Sequence, residues 1–351
     1  MTRLRLLLLV AGAGTLLAGL PAHASGRVAE GEHPLDRSPR ADTDPREQRA
    51  VQLLDTAARA AVTRTYTGTQ YVSAWRSDRS TSSVADIRHT PSGGSVVQLR
   101  PTAGDEQAVA ATTDLDVRTL RLLADNYTLG VVDAGECAGR TADVVEARDA
   151  KGQVAGRFWV DRASALLLRR EVFDRGGELI RSSAFASLTV DAAAGPDAED
   201  AVPAGGRLTE AELDALRTDG WRIPAVLPAS LALYDARMRT HNAKKVLHLA
   251  YSDGLSSLSL FAQRGRLGSE PTDGFTERRL GGAAVWMTSS SPQRVVWGGS
   301  GQVFTLLSDA PTEAVTAAVK ALPHDKPPST GVLARIGRGL ARLASWFNPF
   351  G

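Results

Sequence analysis

The chain holds a single cysteine, Cys137, among 351 residues. One thiol closes no internal disulfide, so stability must come from packing. The thiol reads as a small buried apolar group rather than a reactive one. Cysteine is also missing around residue 24, which excludes an acylated N-terminal cysteine there. Six histidines are present, at 23, 33, 89, 241, 248 and 324. None stands in an H-x-x-x-H or H-E-x-x-H spacing, and His241 and His248 are too loosely placed to mark a metal site. Only five residues are lysine, and the formal net charge is +2. The basic excess of a nucleic-acid-binding protein is therefore absent. No G-x-S-x-G elbow, no P-loop and no G-x-G-x-x-G after a strand occurs. Gly298-Gly299-Ser300-Gly301 misses the elbow spacing and reads as a tight hairpin. These absences lead away from catalysis, and no cofactor or metal is expected. An undetected hydrolase, built from residues distant in sequence, is the enzymatic alternative.

The first 24 residues read as a cleavable secretory signal. Arg3 and Arg5 open it, Leu6 to Leu20 is apolar, and Ala22-His23-Ala24 offers the small-x-small cleavage pattern. An uncleaved anchor is the alternative. No later stretch is long and apolar enough to span a bilayer. The mature chain is thus expected outside the cytoplasm and about neutral. Residues 25–43 are polar and Pro-containing and read as a flexible lead.

Folded structure is expected from Asp44, a helix cap followed by Pro45 and Glu47. Val51, Leu54, Ala58 and Ala61 continue at helical spacing. Strands are expected over Thr65–Trp75, Ser83–His89 and Ser95–Leu99, then a short helix over Leu115–Ala124. Two hairpins follow, Thr141–Ala147 with Val154–Val160, and Leu166–Phe173 with Ile180–Val190. The result is an antiparallel meander with helices beside it, over residues 44–190. Residues 191–206 are rich in Ala, Gly, Pro and Asp and read as a linker. A second domain, 207–324, offers a helix at Thr209–Leu216 and strands at Lys245–Tyr251, Leu255–Gln263, Ala283–Thr288, Arg294–Gly298 and Gln302–Leu307. Pro311–Leu322 closes it as a helix, with Val315, Ala318, Val319 and Leu322 buried. In the tail, 325–351, Leu333, Ile336, Leu340, Leu343 and Phe347 form one stripe beside Arg335, Arg338 and Arg342, with Trp346 at its edge. This is the composition of an interfacial membrane helix or a partner-binding helix. Packing on its own domain is the alternative.

Several runs, in this order, resemble the RseB/MucB family of exported regulators of extracytoplasmic-function sigma factors. They are Gly139-Arg140-Thr141, Val160 to Leu166, Asp174 to Leu179 and Ala184-Phe185 in the first domain. In the second they are Gly220 to Pro224 with Leu227-Pro228, Tyr251-Ser252-Asp253-Gly254-Leu255, and Ala310-Pro311. The resemblance spans about Arg49 to Leu322. It implies an α+β protein: a LolA-like curved antiparallel half-barrel over helices, plus a smaller α/β C-terminal domain. It also implies an exported negative regulator that binds the extracytoplasmic part of a membrane-anchored anti-sigma factor and shields it from regulated proteolysis. A lipid or other amphiphile would release that brake. Tyr251, Ser252, Asp253, Gly254 and Leu255 are the partner-binding candidates on this pattern, although Asp253-Gly254 alone reads as a turn. Trp221 reads as a core anchor. A lipid or lipoprotein carrier using the same cupped sheet is the rival; it would need only the first domain.

Overall fold

The computed structural model describes residues 44–325, apart from 77–78, 93, 101–116, 192–205, 242–243, 268–274, 281, 289–292 and 309. The signal, the flexible lead, most of the linker and the basic tail lie outside the described residues. The first domain runs α1 (Pro45–Thr63), β1 (Tyr66–Arg76), β2 (Arg79–Thr90), β3 (Gly94–Leu99), α2 (Val117–Asn126), β4 (Thr128–Cys137), β5 (Arg140–Arg148), β6 (Val154–Asp161), β7 (Leu167–Phe173) and β8 (Leu179–Val190). The second runs α3 (Glu210–Thr218), β9 (Val226–Leu227), β10 (Leu231–His241), β11 (Lys244–Ser252), β12 (Ser257–Arg264), β13 (Thr276–Leu280), β14 (Ala283–Met287), β15 (Gln293–Gly299), β16 (Gln302–Ser308) and α4 (Thr312–Ala321).

Each domain is built on one eight-stranded sheet, in the order β3-β2-β1-β8-β7-β6-β5-β4 and β13-β14-β15-β16-β12-β11-β10-β9. Every pairing in both is antiparallel. The first sheet does not close, since β3 and β4 remain its edges. Register shifts interrupt it at Thr69/Gln70, Val131/Ala134, Ala147/Arg148, Trp159/Val160 and Val172/Phe173. Such bulges bend strands and raise twist. The expected half-open antiparallel sheet over helices is the architecture found.

Helix α1 starts where the sequence places it. Asp44 caps it by accepting from the Arg46 backbone N–H at 2.9 Å, and Pro45 sits at the first helical position. Its buried face is mostly alanine, with Leu54 fully buried among Ala50, Ala57, Ala58, Ala60 and Ala61. Small residues let the helix lie close to the strands. Leu54 shares a core with Leu123 of α2 and with Leu129, Val145, Phe158 and Val172 of the sheet. In the second domain, Val315, Ala318 and Val319 of α4 pack with Trp297, Phe304 and Leu260, and Trp221 is a buried member of the same core.

Strands β4, β9, β10 and β13 were not expected from the pattern. In β4, Gly130, Asp133 and Gly135 interrupt alternation, and the strand is an edge with a register shift. In β10, Ala236 and Met238 face the second core, and polar groups fill the other face. Asp235 and Arg237 are buried there, joined by a 2.7 Å ion pair. The glycine run near residue 300 is a two-residue hairpin turn, with Ser300 and Gly301 at φ 52° and 73°.

His248 of β11 opposes Phe261 and stacks on it, with ring centroids 4.4 Å apart. Burial first, then the nearby Arg239, pushes its pKa down to about 4; Asp235 opposes this and Arg237 adds to it. The folded protein therefore binds this proton less readily than the unfolded chain. Stability from this residue is complete above pH 6.5 and falls as pH drops toward 4. The loss is about 3 kcal/mol. Urea denaturation at pH 7 and pH 4.5 is expected to show a smaller acid loss in H248Q than in the unaltered chain.

Candidate functional site at the joint between the sheets

Residues opposed across an antiparallel sheet point to the same face. One row on the helix-covered face runs Val145, Phe158, Arg170, Ser183, Val72 and Ser83. The next runs Ala147, Gly156, Val172, Arg181, Ala74 and Thr81. The β5–β6 half of these rows is apolar and belongs to the core that α1 and α2 cover. The β7–β2 half is mixed: two arginines, serines, a threonine and small apolar residues. The opposite face of the sheet is charged. There Glu146 pairs with Arg148 and Arg157, Glu171 pairs with Arg169, and Arg169 lies 4.7 Å from the Trp159 ring centroid.

The β11–β12 turn of the second domain docks on the helix-covered face. Tyr251, at its base, is fully buried in the second domain's own core, and its hydroxyl donates to the Pro224 carbonyl at 2.9 Å. Ser252 Oγ accepts from the Gly254 N–H and donates to the Ser256 carbonyl, both at 2.9 Å. Asp253 Oδ1 accepts from the backbone N–H groups of Leu255 and Ser256, at 2.9 and 2.6 Å. Its Oδ2 accepts from Tyr127 Oη at 2.8 Å, and its carbonyl accepts from Asn126 Nδ2 at 3.1 Å. Leu255 then enters the first domain's core beside Phe158 and Val172. Arg170 closes the joint by donating to the carbonyls of Leu255 and, at 3.3 Å, Gly254.

The fit leaves no room for extra atoms. Gly254 has φ 99°, and a Cβ there would stand 2.4 Å from the Leu123 backbone. At Gly156 a Cβ would meet Leu255 Cδ2 at 2.5 Å. Burial, followed by the Asp253 charge, raises the Tyr127 hydroxyl well above the ordinary tyrosine range, so it stays a donor. Burial lowers Arg170, with Asp253 opposing. Arg181 is pushed down to about 9, by burial first and then by the Arg170 charge.

Asp253, Gly254 and Leu255 face the chain's own first domain, whereas Tyr251 and Ser252 bond within the second. The candidate tail residues Leu333 to Phe347 lie outside the described residues. Tyr127, Asn126, Arg170 and Gly156 complete the site and carry no motif. The available signal was Leu167-Leu168-Arg169-Arg170, two cations inside an apolar strand. Among the described residues no group of His, Cys, Asp and Glu could hold a metal ion, and no helix is long and apolar enough to cross a membrane. Cys137 is half-buried, with Sγ 3.6 Å from the carbonyls of Leu168 and Phe185, and burial pushes its thiol up.

Two substitutions test the joint. Tyr127→Phe leaves the Asp253 carboxylate one donor short and is expected to cost about 1–2 kcal/mol in urea denaturation. Gly254→Val is expected to undock the turn and make the protein more susceptible to limited proteolysis, while each sheet keeps its own core. A Gly254→Val protein as compact in small-angle scattering and as protease-resistant as the unaltered chain would contradict this account.

Residues 101–213 match the family model of the MucB/RseB N-terminal domain. No curated protein matches the chain. Among solved structures, a crystal structure of MucB in complex with MucA(peri) is 21% identical, covering 79% of this chain and 100% of that one at a TM-score of 0.41. The Pseudomonas aeruginosa MucA/MucB complex is 22% identical over 79% and 100%, at 0.41. A LolA superfamily protein from Nitrosomonas europaea is 7% identical over 74% and 90%, at 0.18. Over residues 101–213 the chain is thus similar to the MucB/RseB N-terminal domain.

Proposed function

We propose that this protein is an exported negative regulator that binds the extracytoplasmic part of a membrane-anchored anti-sigma factor and shields it from proteolysis. The match of residues 101–213 to the MucB/RseB N-terminal domain carries the reading. The joint supports it, because the second domain is held to the first by a built contact of buried polar and apolar groups. A carrier working through the first sheet alone has no use for that contact. The helix-covered face, with an apolar half and a mixed half, supports an amphiphile as the releasing signal. The place of action is the outer side of the cytoplasmic membrane or the periplasm.

The purified full-length mature chain is expected to retain the extracytoplasmic segment of a membrane anti-sigma factor and to slow its cleavage by the site-one protease. Failure to bind, together with stoichiometric lipid in the extracted protein, would leave the carrier reading in its place. For the basic tail, removing residues 331–351 is expected to reduce sedimentation with anionic vesicles while leaving the melting temperature nearly unchanged. A large fall in melting temperature would make that segment part of the fold.

A further inference from the structure

The second sheet has an end far from the joint. There Arg264 opposes Gln302, Gln302 opposes Gly299, and Lys245 stands one residue beyond the Val246–Gln263 pair. These residues lie two positions on from Leu247, Ala262, Phe304 and Trp297, so they continue the helix-covered face. At strand spacing Lys245 is about 23 Å from Ser252 and the docked turn. A cavity of about 310 Å³ opens at this end, lined by Leu216, Asp219, Trp221, Lys245 and Arg264. Arg264 donates to the Asp219 carboxylate at 2.8 Å and to the Asp219 carbonyl, and it lies 5.3 Å from the Trp221 ring centroid. Gln302 Nε2 donates to the Gly220 carbonyl at 2.9 Å and holds the same loop. Among the described residues, Lys245 and Arg266 are exposed and have no hydrogen-bond or ion-pair partner. In segments 219–222, 264–267, 299–302 and 320–325, taken with Lys245, the cations Arg222, Lys245, Arg264, Arg266 and Lys320 outnumber the carboxylates Asp219 and Asp325.

The chain beyond α4 is pinned to this same end. Trp297 Nε1 donates to the Pro323 carbonyl at 3.0 Å, and the Asp325 N–H donates to the Gly298 carbonyl at 2.8 Å. A Cβ on Gly299 would stand 2.0 Å from the Pro323 carbonyl oxygen, so the close approach needs glycine. Two strand spacings, about 10 Å, separate Gly299 from Arg264. Residues 326–351 continue the chain from this point, with Arg335, Arg338 and Arg342 in their sequence.

We propose that this end of the second domain is a docking surface for an anionic lipid bilayer, with the cavity beside Lys245 and Arg264 set at the headgroups. Lys245 and Arg266 have no carboxylate to answer them, so their charge is available to lipid phosphates. The surface is made of strand ends and turns, whereas the edges of the sheet are β13 and β9. It therefore offers no backbone ladder to an extended acidic peptide, which is the rival occupant. The basic tail leaves the fold at the same end, so tail and folded surface reach one plane together. Once either is engaged, the other binds at a high effective concentration. The joint, at the opposite end of β11 and β12, is then held away from the lipid. This inference goes beyond the anti-sigma-factor reading and does not require it.

The test uses the full mature chain with phosphatidylglycerol vesicles and, as the neutral surface, phosphatidylcholine vesicles. Sedimentation reads binding, and hydrogen exchange reads which segments are covered. Binding is expected to phosphatidylglycerol alone and to weaken with added salt. Exchange is expected to slow over 264–267 and 299–302 and to stay unchanged at the Leu255 and Ser256 amides that Asp253 holds. Lys245→Gln combined with Arg266→Gln should lower the vesicle partition about tenfold, the effect of two cations near an anionic surface. The melting temperature should not move, because neither side chain has a partner to lose. Lys151→Gln combined with Arg175→Gln removes the same charge from exposed turns of the first domain and should leave the partition within about twofold. An equal loss in both double variants would overturn the site and assign the binding to net charge. Phosphatidylglycerol binding that ignores Lys245 and Arg266 would also overturn it, leaving the contact to the tail. So would binding to neither kind of vesicle. If the Lys245 and Arg266 variant instead loses only the anti-sigma-factor segment, this end is a protein interface and the lipid surface is wrong. A tenfold fall in vesicle binding with that segment still retained would support the lipid surface.

Discussion

The second domain lends the first an apolar side chain. Leu255 leaves its own sheet and is buried in the core formed by α1, α2 and the β4–β7 strands, and the notch it fills exists because residue 156 is glycine. Apolar burial alone would hold such a contact loosely in orientation, since the hydrophobic effect has no direction. The polar bonds around it supply direction. Asp253 takes the Tyr127 hydroxyl, Asn126 takes the Asp253 carbonyl, and Arg170 takes the two carbonyls that follow. Among the described residues, no buried side-chain nitrogen or oxygen of the turn is left without a partner, as the low-dielectric setting requires. This turn and the few groups that receive it thus give the joint between the two domains its direction.

Much of this was legible in the chain. Caps, periodicity and turn residues placed the four helices among the described residues and most strands there, because α1, α3 and α4 carry strong local signals. Thr209 and Glu212 form a reciprocal capping box around the start of α3, for example. What escaped was governed by tertiary context. Strand β10 buries Asp235 and Arg237 as a pair on the face away from the second core, a pattern that reads as polar until the partner is known. Strand β13 exposes Thr276, Glu277, Arg278 and Arg279 at a sheet edge, where alternation has nothing to bury against. The order of strands could not be read either, since β1 returns to pair with β8 across the whole domain.

The site was half legible. Tyr251 to Leu255 stand out as a motif, but the sequence does not say what the motif touches. Its turn chemistry is local, with Ser252 and Asp253 bonding their own backbone. Its contacts are distant: Asp253 meets Tyr127, and Leu255 meets Arg170. Register decides that Arg170 and Arg181 share a face with Phe158, whereas Arg169 stands on the other face with Trp159. A shift of one residue would exchange the two arginines and their roles. No periodicity in the sequence fixes that choice, because the bulges in β6 and β7 break the alternation that would carry it.

The pairing of β1 with β8 also orders events in time. Tyr66 meets Val190, so the ribbon β3-β2-β1 has no neighbour on its open side until the last strand of the domain has been synthesised. Contacts so far apart in sequence form late and slowly. Until then the inner edge of β1 is a bare row of amide and carbonyl groups, the kind of edge that recruits strands from other chains. A polypeptide interrupted anywhere before residue 179 would keep that edge for good. Cellular quality control of this protein thus has one decisive moment, the arrival of a single strand.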